Sequence, residues 1–422
     1  MLQIQQIRAD FDAIKMRLAK RGKGFEAELA RAIELDDKRK STQTELDGSL
    51  AENNSISKEI GIRYKEGKRE EAEALKAKTA EIKERSKNLE ADLKAVQEEL
   101  RQLLTQIPNA PHSSVPEGKT PEDNEVILTH GVAPELSSKL PHWELAAKYD
   151  LIDFELGVKV TGAGFPVYKG KGARLQRALI NFFLDQGLAI GYNEVQPPIF
   201  INEASGFGTG QLPDKEGQMY HMTVDNLFVI PTAEVPITNL YRDVILSKDD
   251  LPIKNIGYTP CFRREAGSYG KDVRGLNRLH QFDKVEIVQI AHPDESYSIL
   301  EDMSKYVQSL LQKLGLHYRV LRLCGGDMGF TSALTYDMEV YSAAQEKWLE
   351  VSSVSCFETY QSNRLKLRFR NDEGKTQLAH TLNGSALALP RIVAALLENN
   401  QTEDGIVMPE VLHPYLGFDK IN

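Results

Sequence analysis

Apolar or small side chains between residues 75 and 107 recur at alternating spacings of four and three residues. The positions are Leu75, Thr79, Ile82, Ser86, Leu89, Leu93, Val96, Leu100, Leu103 and Ile107. This spacing is the heptad repeat of a coiled coil, although hydroxyl side chains at Thr79 and Ser86 weaken it near its beginning. We therefore predict one long amphipathic helix over this segment.

A second helical segment precedes this one. Residues 26–64 carry a thinner apolar stripe, and the sequence KEGK at 65–68 separates the two segments, with Gly67 as the helix breaker. Two long helices joined by so short a turn must run antiparallel, and roughly forty residues at about 1.5 Å each make an arm on the order of 60 Å long. Such an arm is either a dimerisation rod or spacer, or a probe that reaches a distant part of a large ligand.

The chain changes character after this arm. Residues 107–126 are rich in proline and poor in apolar side chains, which predicts a linker. From residue 127 onward, short apolar runs, glycines and strand-like alternation predict one large α+β domain. The expected organisation is therefore a helical domain at 1–106, a linker at 107–126 and an α+β domain at 127–422.

Composition limits the classes of partner. Lys and Arg number 52 against 61 Asp and Glu, a net charge of −9, so a nucleic acid must bind a local basic stripe and not the surface as a whole. The three cysteines form no CxxC pair, which predicts buried core residues without a disulfide or structural zinc. Because no apolar run resembles a secretory signal or is long enough to cross a bilayer, we expect a cytoplasmic protein that does not span a membrane.

One stretch concentrates cations in this acidic chain. The sequence FRREAGSYGKDVRGLNRLHQFDKVE occupies residues 262–286. The segments 255–266 and 278–290 both have strand-like composition, and a glycine-rich, charged loop separates them. We predict an antiparallel hairpin with a long connection.

Strand alternation predicts what this hairpin presents. Arg263 and Glu265 should share one face of the first strand, and Phe282, Lys284 and Glu286 should share one face of the second. An arginine can bind a phosphate or carboxylate bidentately, an aromatic ring can stack on a base, and a glutamate can accept a hydrogen bond from an amine.

The loop adds further cations that could reach phosphates. They are Lys271, Arg274 and Arg278. The alternative is an exposed hairpin with surface ion pairs that contribute little individually. Residue types and alternation alone leave both interpretations open.

The hairpin sequence closely resembles the second signature motif of class II aminoacyl-tRNA synthetases, in the form seen in bacterial-type seryl-tRNA synthetases. Residues 178–200 are similar to the first signature, with Pro198 at the family's proline, and residues 380–401 are similar to the third, with Arg391 at its arginine. Further similarities in the family's order are FGTGQLP at 207–213, PTAEVP at 231–236 and the segment 350–370.

The resemblance implies a fold and an activity. The fold is an N-terminal antiparallel two-helix coiled-coil arm that binds tRNA, followed by an α+β catalytic domain built on an antiparallel sheet flanked by helices. The activity is the joining of L-serine to ATP to give seryl-adenylate and pyrophosphate, and then the transfer of serine to the 3′ end of tRNA(Ser). The resemblance also implies a homodimer, and it leaves open whether tRNA(Sec) is charged.

The resemblance also implies roles for individual residues in ATP binding. Arg263 would bind the α-phosphate and the substrate carboxylate, Glu265 would face the adenine amine, and Phe282 and Arg391 would cover the two faces of adenine. Arg263, Arg391 and Glu350 would be catalytic. The full ATP-binding set is Arg263, Arg264, Glu265, Arg278, Phe282, Glu350, Val351, Ser352, Ser353 and Arg391.

The serine and metal sites follow in the same way. The residues implied around serine are Thr232, Ala233, Glu234, Arg263, Glu286, Asn383 and Ser385. Glu350 and Ser353 would hold Mg²⁺ on the phosphates of ATP, and no zinc is expected. The third motif departs from the usual form at Ala386 and Pro390, although a proline is well tolerated in the first turn of a helix.

Two other functions remain as alternatives. A relative of these synthetases could form an aminoacyl-adenylate and load a non-tRNA carrier, but such relatives usually lack the helical arm. A non-catalytic RNA-binding scaffold is the other alternative, and the presence of Arg263, Glu265, Glu350 and Arg391 argues against it.

Overall fold

The computed structural model describes residues 1–136, 138–265 and 274–422. The chain divides into two compact units, one of residues 1–19 and 23–108 and the other of residues 20–22 and 109–422. The boundaries expected from the sequence, at 106 and 126, remain a prediction. Asn109 belongs to the second unit, where its side-chain amide donates hydrogen bonds to the backbone oxygens of Thr331 and Phe357.

The first unit contains the predicted helical arm. Its helices are α1 (Ile4–Ala9), α2 (Phe11–Ala19), α3 (Glu26–Lys65) and α4 (Arg69–Gln106). Helices α3 and α4 pack along each other, and Gly67 in the turn has a φ of +76°, which a residue with a side chain would adopt only at a cost. The two-helix arm is therefore confirmed.

A polar contact inside the arm explains one of the two weak heptad positions of α4. Ser86 is buried, and its hydroxyl lies 2.9 Å from the hydroxyl of Ser49 on α3, so the polar pair satisfies itself inside the arm. One position of the predicted seam is wrong in detail. Leu104 is buried where the repeat placed Leu103, which is only partly buried.

An eight-stranded sheet organises the second unit. Its strands, in spatial order, are β1 (Glu125–His130), β11 (Tyr318–Arg322), β12 (Leu334–Ser342), β13 (Lys347–Cys356), β16 (His380–Ala388), β10 (Gln281–Ala291), β9 (Ile253–Phe262) and β4 (Asn193–Glu194). All neighbouring pairs are antiparallel except β4 with β9. The expected antiparallel catalytic sheet is thus confirmed.

Helices accompany this sheet. They are α5 (His142–Lys148), α6 (Phe154–Val160), α7 (Gly170–Ala189), α8 (Glu203–Thr209), α9 (Glu234–Asn239), α10 (Ser296–Lys313), α11 (Tyr360–Leu365), α12 (Leu389–Asn399) and α13 (His413–Leu416). The main apolar core lies between the sheet and α7, α10 and α12, and nearly every side chain of α12 is buried. Pro390 lies in the first turn of α12, as its position in the sequence predicted.

Short strands complete the unit. They are β2 (Ile152–Asp153), β3 (Val167–Tyr168), β5 (Phe200–Ile201), β6 (His221–Met222), β7 (Leu227–Val229), β8 (Ile245–Ser247), β14 (Arg368–Arg370), β15 (Thr376–Leu378), β17 (Gln401–Thr402), β18 (Gly405–Val407) and β19 (Lys420–Ile421). Single 3₁₀ turns occupy Pro121–Asp123, Lys248–Asp250 and Glu410–Leu412.

The predicted hairpin is present, but its first strand is shorter than expected. β9 ends at Phe262, so Arg263 and Glu265 lie beyond the strand, and strand alternation no longer decides where the side chain of Glu265 points. The regular pairing of β10 with β9 does place Phe282, Lys284 and Glu286 on one face, as predicted. The loop residues 266–273, including Lys271, lie outside the described residues.

One smaller expectation, that the cysteines are buried, is also confirmed. Cys261, Cys324 and Cys356 are buried thiols without a disulfide. Within the described ranges, no helix combines the length and the apolar character that crossing a membrane requires.

Candidate active site

The site lies where β10 runs between β9 and β16. Glu286 on β10 pairs with Gly257 of β9 and with Ser385 of β16, and this register brings three segments to one point. At Gly257 a Cβ would lie 2.6 Å from the backbone oxygen of Val195, so only glycine allows the chain before it to pass so closely. The backbone packing therefore fixes the position of Glu286.

Glu286 is fully buried, and its carboxylate is surrounded by donors. The ammonium of Lys284 lies 2.6 Å from Oε2, and the amide of Asn383 donates to Oε1 over 3.0 Å. The hydroxyls of Thr232 and Ser385 lie 3.2 and 3.5 Å from Oε2. A buried carboxylate is stable only with such compensation, so the predicted serine-site residues form one polar cluster.

Glu234 provides a second buried carboxylate in this cluster. Gln361 on α11 donates to its Oε1 over 2.7 Å and to the backbone oxygen of Thr209 over 3.2 Å, and the hydroxyl of Thr381 donates to Gln361 over 2.7 Å. Burial, followed by the negative charge of Glu286, raises the pKa of Glu234 from 4.5 to about 7. The protonation of Glu234 thus changes close to neutral pH.

Thr232 and Ala233 connect these carboxylates. The Thr232 hydroxyl accepts a hydrogen bond from the backbone N–H of Glu234 over 3.2 Å, while it donates to Glu286. Ala233 is completely buried directly before α9. The short loop therefore brings the two carboxylates together through its backbone.

Arg263 reaches the same region from the end of β9. Its backbone N–H donates to the backbone oxygen of His280 over 3.0 Å, which continues the hairpin by one more pair. Its guanidinium donates to the backbone oxygen of Pro231 and lies 5.3 Å from the centre of the Phe282 ring. The predicted association of Arg263 with Phe282 is present, because Phe282 pairs with Cys261 and the additional pair keeps Arg263, two residues later, on the same face.

Arg264 and Glu265 point to different partners. The guanidinium of Arg264 lies over the Tyr220 ring, 5.8 Å from its centre. Glu265 has a φ of +48°, which is unusual for a residue with a side chain, and its carboxylate accepts from Arg278 over 2.9 Å. His280 hydrogen-bonds to Tyr220 over 2.6 Å, so its ring is held by the protein itself.

Arg391 stands in the first turn of α12 beside strand β13. Its Nη1 donates to the backbone oxygen of Glu350 over 2.6 Å and lies 3.6 Å from the Glu350 carboxylate. Its Nε donates to the backbone oxygen of Asn277 over 3.2 Å. Arg391 therefore links the edge of β13 to the return of the hairpin loop.

Glu350 and Ser353 share a face because of a β-bulge. Glu350 pairs with Glu339 of β12 and Ser353 pairs with Asp337, so three steps along β13 match two steps along β12, with Val351 as the additional residue. In a regular strand a spacing of three would have put the two side chains on opposite faces. The bulge thus brings together the two predicted metal ligands.

Asp337 supports this pair and was not predicted from the sequence. Burial and the negative charge of Glu350 raise its pKa well above the ordinary value, and the Ser353 hydroxyl hydrogen-bonds to its carboxyl group. Oxygen donors of this kind suit Mg²⁺, which usually takes only one or two protein ligands beside phosphates. The residues present therefore fit a magnesium ion, although the described part of the chain has no group of three or more His, Cys, Asp or Glu side chains arranged to hold a metal.

The other two residues of this segment lie inside the sheet. Val351 is buried, and the buried hydroxyl of Ser352 donates to the backbone oxygen of Ser385 over 2.6 Å. The Ser352 side chain thereby connects β13 to β16. The predicted contact of Val351 and Ser352 with ATP therefore depends on their backbone atoms.

Two family models match the chain. The one described as the seryl-tRNA synthetase N-terminal domain matches residues 1–111, and the one described as the tRNA synthetase class II core domain (G, H, P, S and T) matches residues 220–400.

Similar proteins match over the whole length. Curated relatives named serine–tRNA ligase include one from Salinibacter ruber, 52% identical, and one from Akkermansia muciniphila, 47% identical; each alignment covers 100% of this chain and 99% of the relative. The crystal structure of seryl-tRNA synthetase from Pyrococcus horikoshii complexed with ATP is similar with a TM-score of 0.92 and 34% identity, covering 100% of this chain and 99% of that one.

The raised pKa of Glu234 predicts how stability depends on pH. Because the folded protein holds the Glu234 proton more tightly than the unfolded chain, the wild type loses stability as the pH rises from 4.5 through about 7. We expect Glu234→Gln to raise the Tm at pH 8 relative to wild type, and to give little or none of this gain at pH 4.5. Thermal unfolding followed by circular dichroism tests this, and an equal Tm difference at both pH values would contradict the assignment.

Proposed function

The chain belongs to the seryl-tRNA synthetase family, and we propose that it is a serine–tRNA ligase that joins L-serine to ATP and then transfers the seryl group to tRNA(Ser). The observation that supports this most directly is the buried cluster of Glu234 and Glu286 beside Arg263 and Phe282. It combines carboxylates for an ammonium and a hydroxyl, a cation for a carboxylate and an aromatic ring for a base.

Serine is selected through its hydroxyl and its ammonium. Arg263 binds the substrate carboxylate, and Glu234 and Glu286 accept hydrogen bonds from the amino group and the hydroxyl, with Thr232 and Ser385 beside them. A site built to hydrogen-bond a hydroxyl rejects alanine strongly, because buried polar groups are left unpaired. Threonine adds one methyl group, and only a tight pocket can exclude it.

ATP binds over the β10 face of the hairpin. Adenine lies between Phe282 and Arg391, its amine faces Glu265, and Arg278 reaches the terminal phosphates. The protein already holds these arginines near the site, through Asn277 for Arg391 and through Glu265 for Arg278. Arg391 also touches the γ-phosphate, and this charged contact is stronger than the neutral carbonyl contact that Arg391 gives up.

Glu350 and Ser353 would hold Mg²⁺. When bound, the ion neutralises phosphate charge and helps to orient the phosphates. Asp337 would keep the Ser353 hydroxyl oriented across the bulge, and the Glu350 carboxylate would supply the charged ligand.

The first step places two anions in line. The serine carboxylate attacks the α-phosphorus and pyrophosphate leaves, so positioning and cations supply the catalysis, and no general base is required. Arg263, which is close to both the serine cluster and Phe282, would hold the carboxylate and the α-phosphate together.

The arm binds tRNA by shape and backbone. Several cations of the first unit are engaged within it: Arg8, Arg39 and Lys40 all pair with the buried Asp36, and Lys15 pairs with Glu26. These pairs lower the pKa of Asp36 although burial acts to raise it. We therefore place the tRNA contact on the remainder of the arm.

The protein functions as a homodimer in the cytoplasm. A depression of about 520 Å³ on the second unit supports a partner surface, and its lining includes Tyr168, Gln176, Asn181, Glu194, Tyr258 and Asp283. Buried oxygens of Tyr168 and Gln176 there have no hydrogen-bond partner among the described residues. A second copy of the chain would cover this depression.

An amino-acid panel tests the activity. Exchange of pyrophosphate into ATP should depend on serine, with much lower rates for alanine and threonine, and total tRNA should then accept serine. Exchange without tRNA charging would support loading of another carrier, and the absence of exchange would support an RNA-binding scaffold. Arg263→Ala should lower exchange at least about a hundredfold at an unchanged Tm. The control variant Arg370→Ala, on a surface strand, should not lower it.

Shortening the arm tests its role. Arg31 and Glu99 pair over 2.8 Å across the two helices, so replacing residues 32–98 by a short turn should keep this pair at the base of the arm. We expect normal exchange and a large loss of tRNA charging. An equal loss of both activities would contradict a separate tRNA-binding role.

Sedimentation equilibrium tests the dimer. We expect a species of twice the 47.4 kDa chain mass at micromolar concentration. A monomer at that concentration would exclude the proposed partner surface as the site of a stable dimer.

A further inference from the structure

The return of the hairpin loop, residues 274–280, is attached to the core although it carries residues assigned to ATP. We call this segment the loop base. Leu276 and Leu279 are buried in the main core, and Arg278 between them points to Glu265. The position of Arg278 therefore depends on what holds its immediate neighbours.

A buried histidine holds the backbone of the loop base. His142, the first residue of α5, is fully buried, and its Nε2 accepts the backbone N–H of Leu276 over 2.8 Å. The contact is close: at Gly275 a Cβ would lie 2.2 Å from this nitrogen, so the backbone passes directly against the ring.

The opposite nitrogen of the same ring binds a buried carboxylate. Glu398 Oε1 lies 2.6 Å from His142 Nδ1 and also accepts the backbone N–H of His142 over 2.8 Å. Burial acts to raise the pKa of Glu398, but the hydrogen bonds from His142 and Ser342 lower it below its ordinary value. The ionised carboxylate fixes the imidazole proton on Nδ1, which leaves Nε2 as the acceptor that Leu276 requires.

A second connection joins Glu398 to the loop base. The amide of Gln345 donates to Glu398 Oε1 over 2.8 Å, and its oxygen accepts from the side chain of Asn277 over 3.1 Å. Adjacent loop-base residues, Leu276 and Asn277, are thus both tied to one carboxylate.

Helix α12 carries two side chains that hold the loop base, Arg391 and Glu398. Glu398 is near its C-terminus and Arg391 is seven residues earlier, about two helical turns, so the two side chains lie on the same face. Arg391 contacts the backbone of Asn277 directly, and Glu398 contacts the loop base through His142 and Gln345. When Arg391 turns to a nucleotide, the Glu398 connections remain to hold the loop base.

We propose that His142 is a positioning residue for ATP: held by Glu398, it fixes the backbone of the loop base and thereby the reach of Arg278 to the phosphates. This inference rests on the ATP site proposed above. A merely structural histidine would change the stability of the fold but would not change ATP binding relative to serine binding.

Two substitutions separate the two hydrogen bonds of the ring. In His142→Asn the amide can replace Nδ1 toward Glu398 but cannot reach Leu276, whereas in His142→Gln the longer amide can place its oxygen near the position of Nε2. We expect His142→Asn to raise the KM for ATP about tenfold in serine-dependent exchange, with the KM for serine within about twofold of wild type. His142→Gln should restore most of the loss, and His413→Gln, which alters a histidine bonded to the Met408 backbone, should behave as wild type.

Tryptophan fluorescence gives a readout that does not depend on catalysis. Trp143 lies next to His142, and the Arg274 guanidinium lies 4.9 Å from the centre of its ring, so its emission reports on the loop base. The only other tryptophan, Trp348, can be replaced by phenylalanine. In the Trp348→Phe variant, adding ATP should change the Trp143 emission. His142→Asn should raise the ATP concentration at the midpoint of this change about tenfold.

The outcomes separate the two proposals. Equal changes in both KM values, or a normal ATP titration in His142→Asn, would overturn the role of His142 while leaving the proposed function intact. Absence of exchange in the wild type would instead remove the proposed function, and the fluorescence titration would still decide whether His142 controls nucleotide binding.

Discussion

The site depends on the compensation of one fully buried charge, the carboxylate of Glu286. An isolated carboxylate at this depth would cost several kcal/mol, so the donors around it have to arrive together. Lys284 comes from the same strand, Asn383 and Ser385 come from β16, and Thr232 comes from a separate loop. The register of β10 with its neighbours therefore determines the geometry of the proposed binding site.

Helix α12 likewise carries charged side chains that are compensated near the proposed nucleotide site. Arg391 begins this face of the helix and Glu398 ends it, and both help to hold the return of a long loop whose Leu276 and Leu279 are buried in the core. Glu398 is stable in the core because His142, Gln345 and Ser342 donate to it. Buried polar groups here are connected to elements that position the residues proposed to bind ligand.

The arm and the face of β10 could be predicted because they follow simple periods. The heptad repeat located α4, and alternation placed Phe282, Lys284 and Glu286 together. Alternation failed beyond the end of the strand, at Glu265. It would also have separated Glu350 from Ser353, because a bulge is not visible in residue types. Gln361, Asp337 and the pair of His142 and Glu398 were missed because lone polar residues distant in sequence carry no local signal. A histidine near the start of a helix and a glutamate near the end of another become informative only when the fold brings them together.

The most direct test of this account is a crystal structure of the protein with a non-hydrolysable analogue of seryl-adenylate. We expect the adenine on the Phe282 ring, the seryl amino group or hydroxyl within hydrogen-bond distance of Glu234 or Glu286, and Arg391 turned from the Asn277 backbone to the nucleotide. An analogue bound elsewhere, with the donors around Glu286 unchanged and the Phe282 face without ligand, would contradict the account.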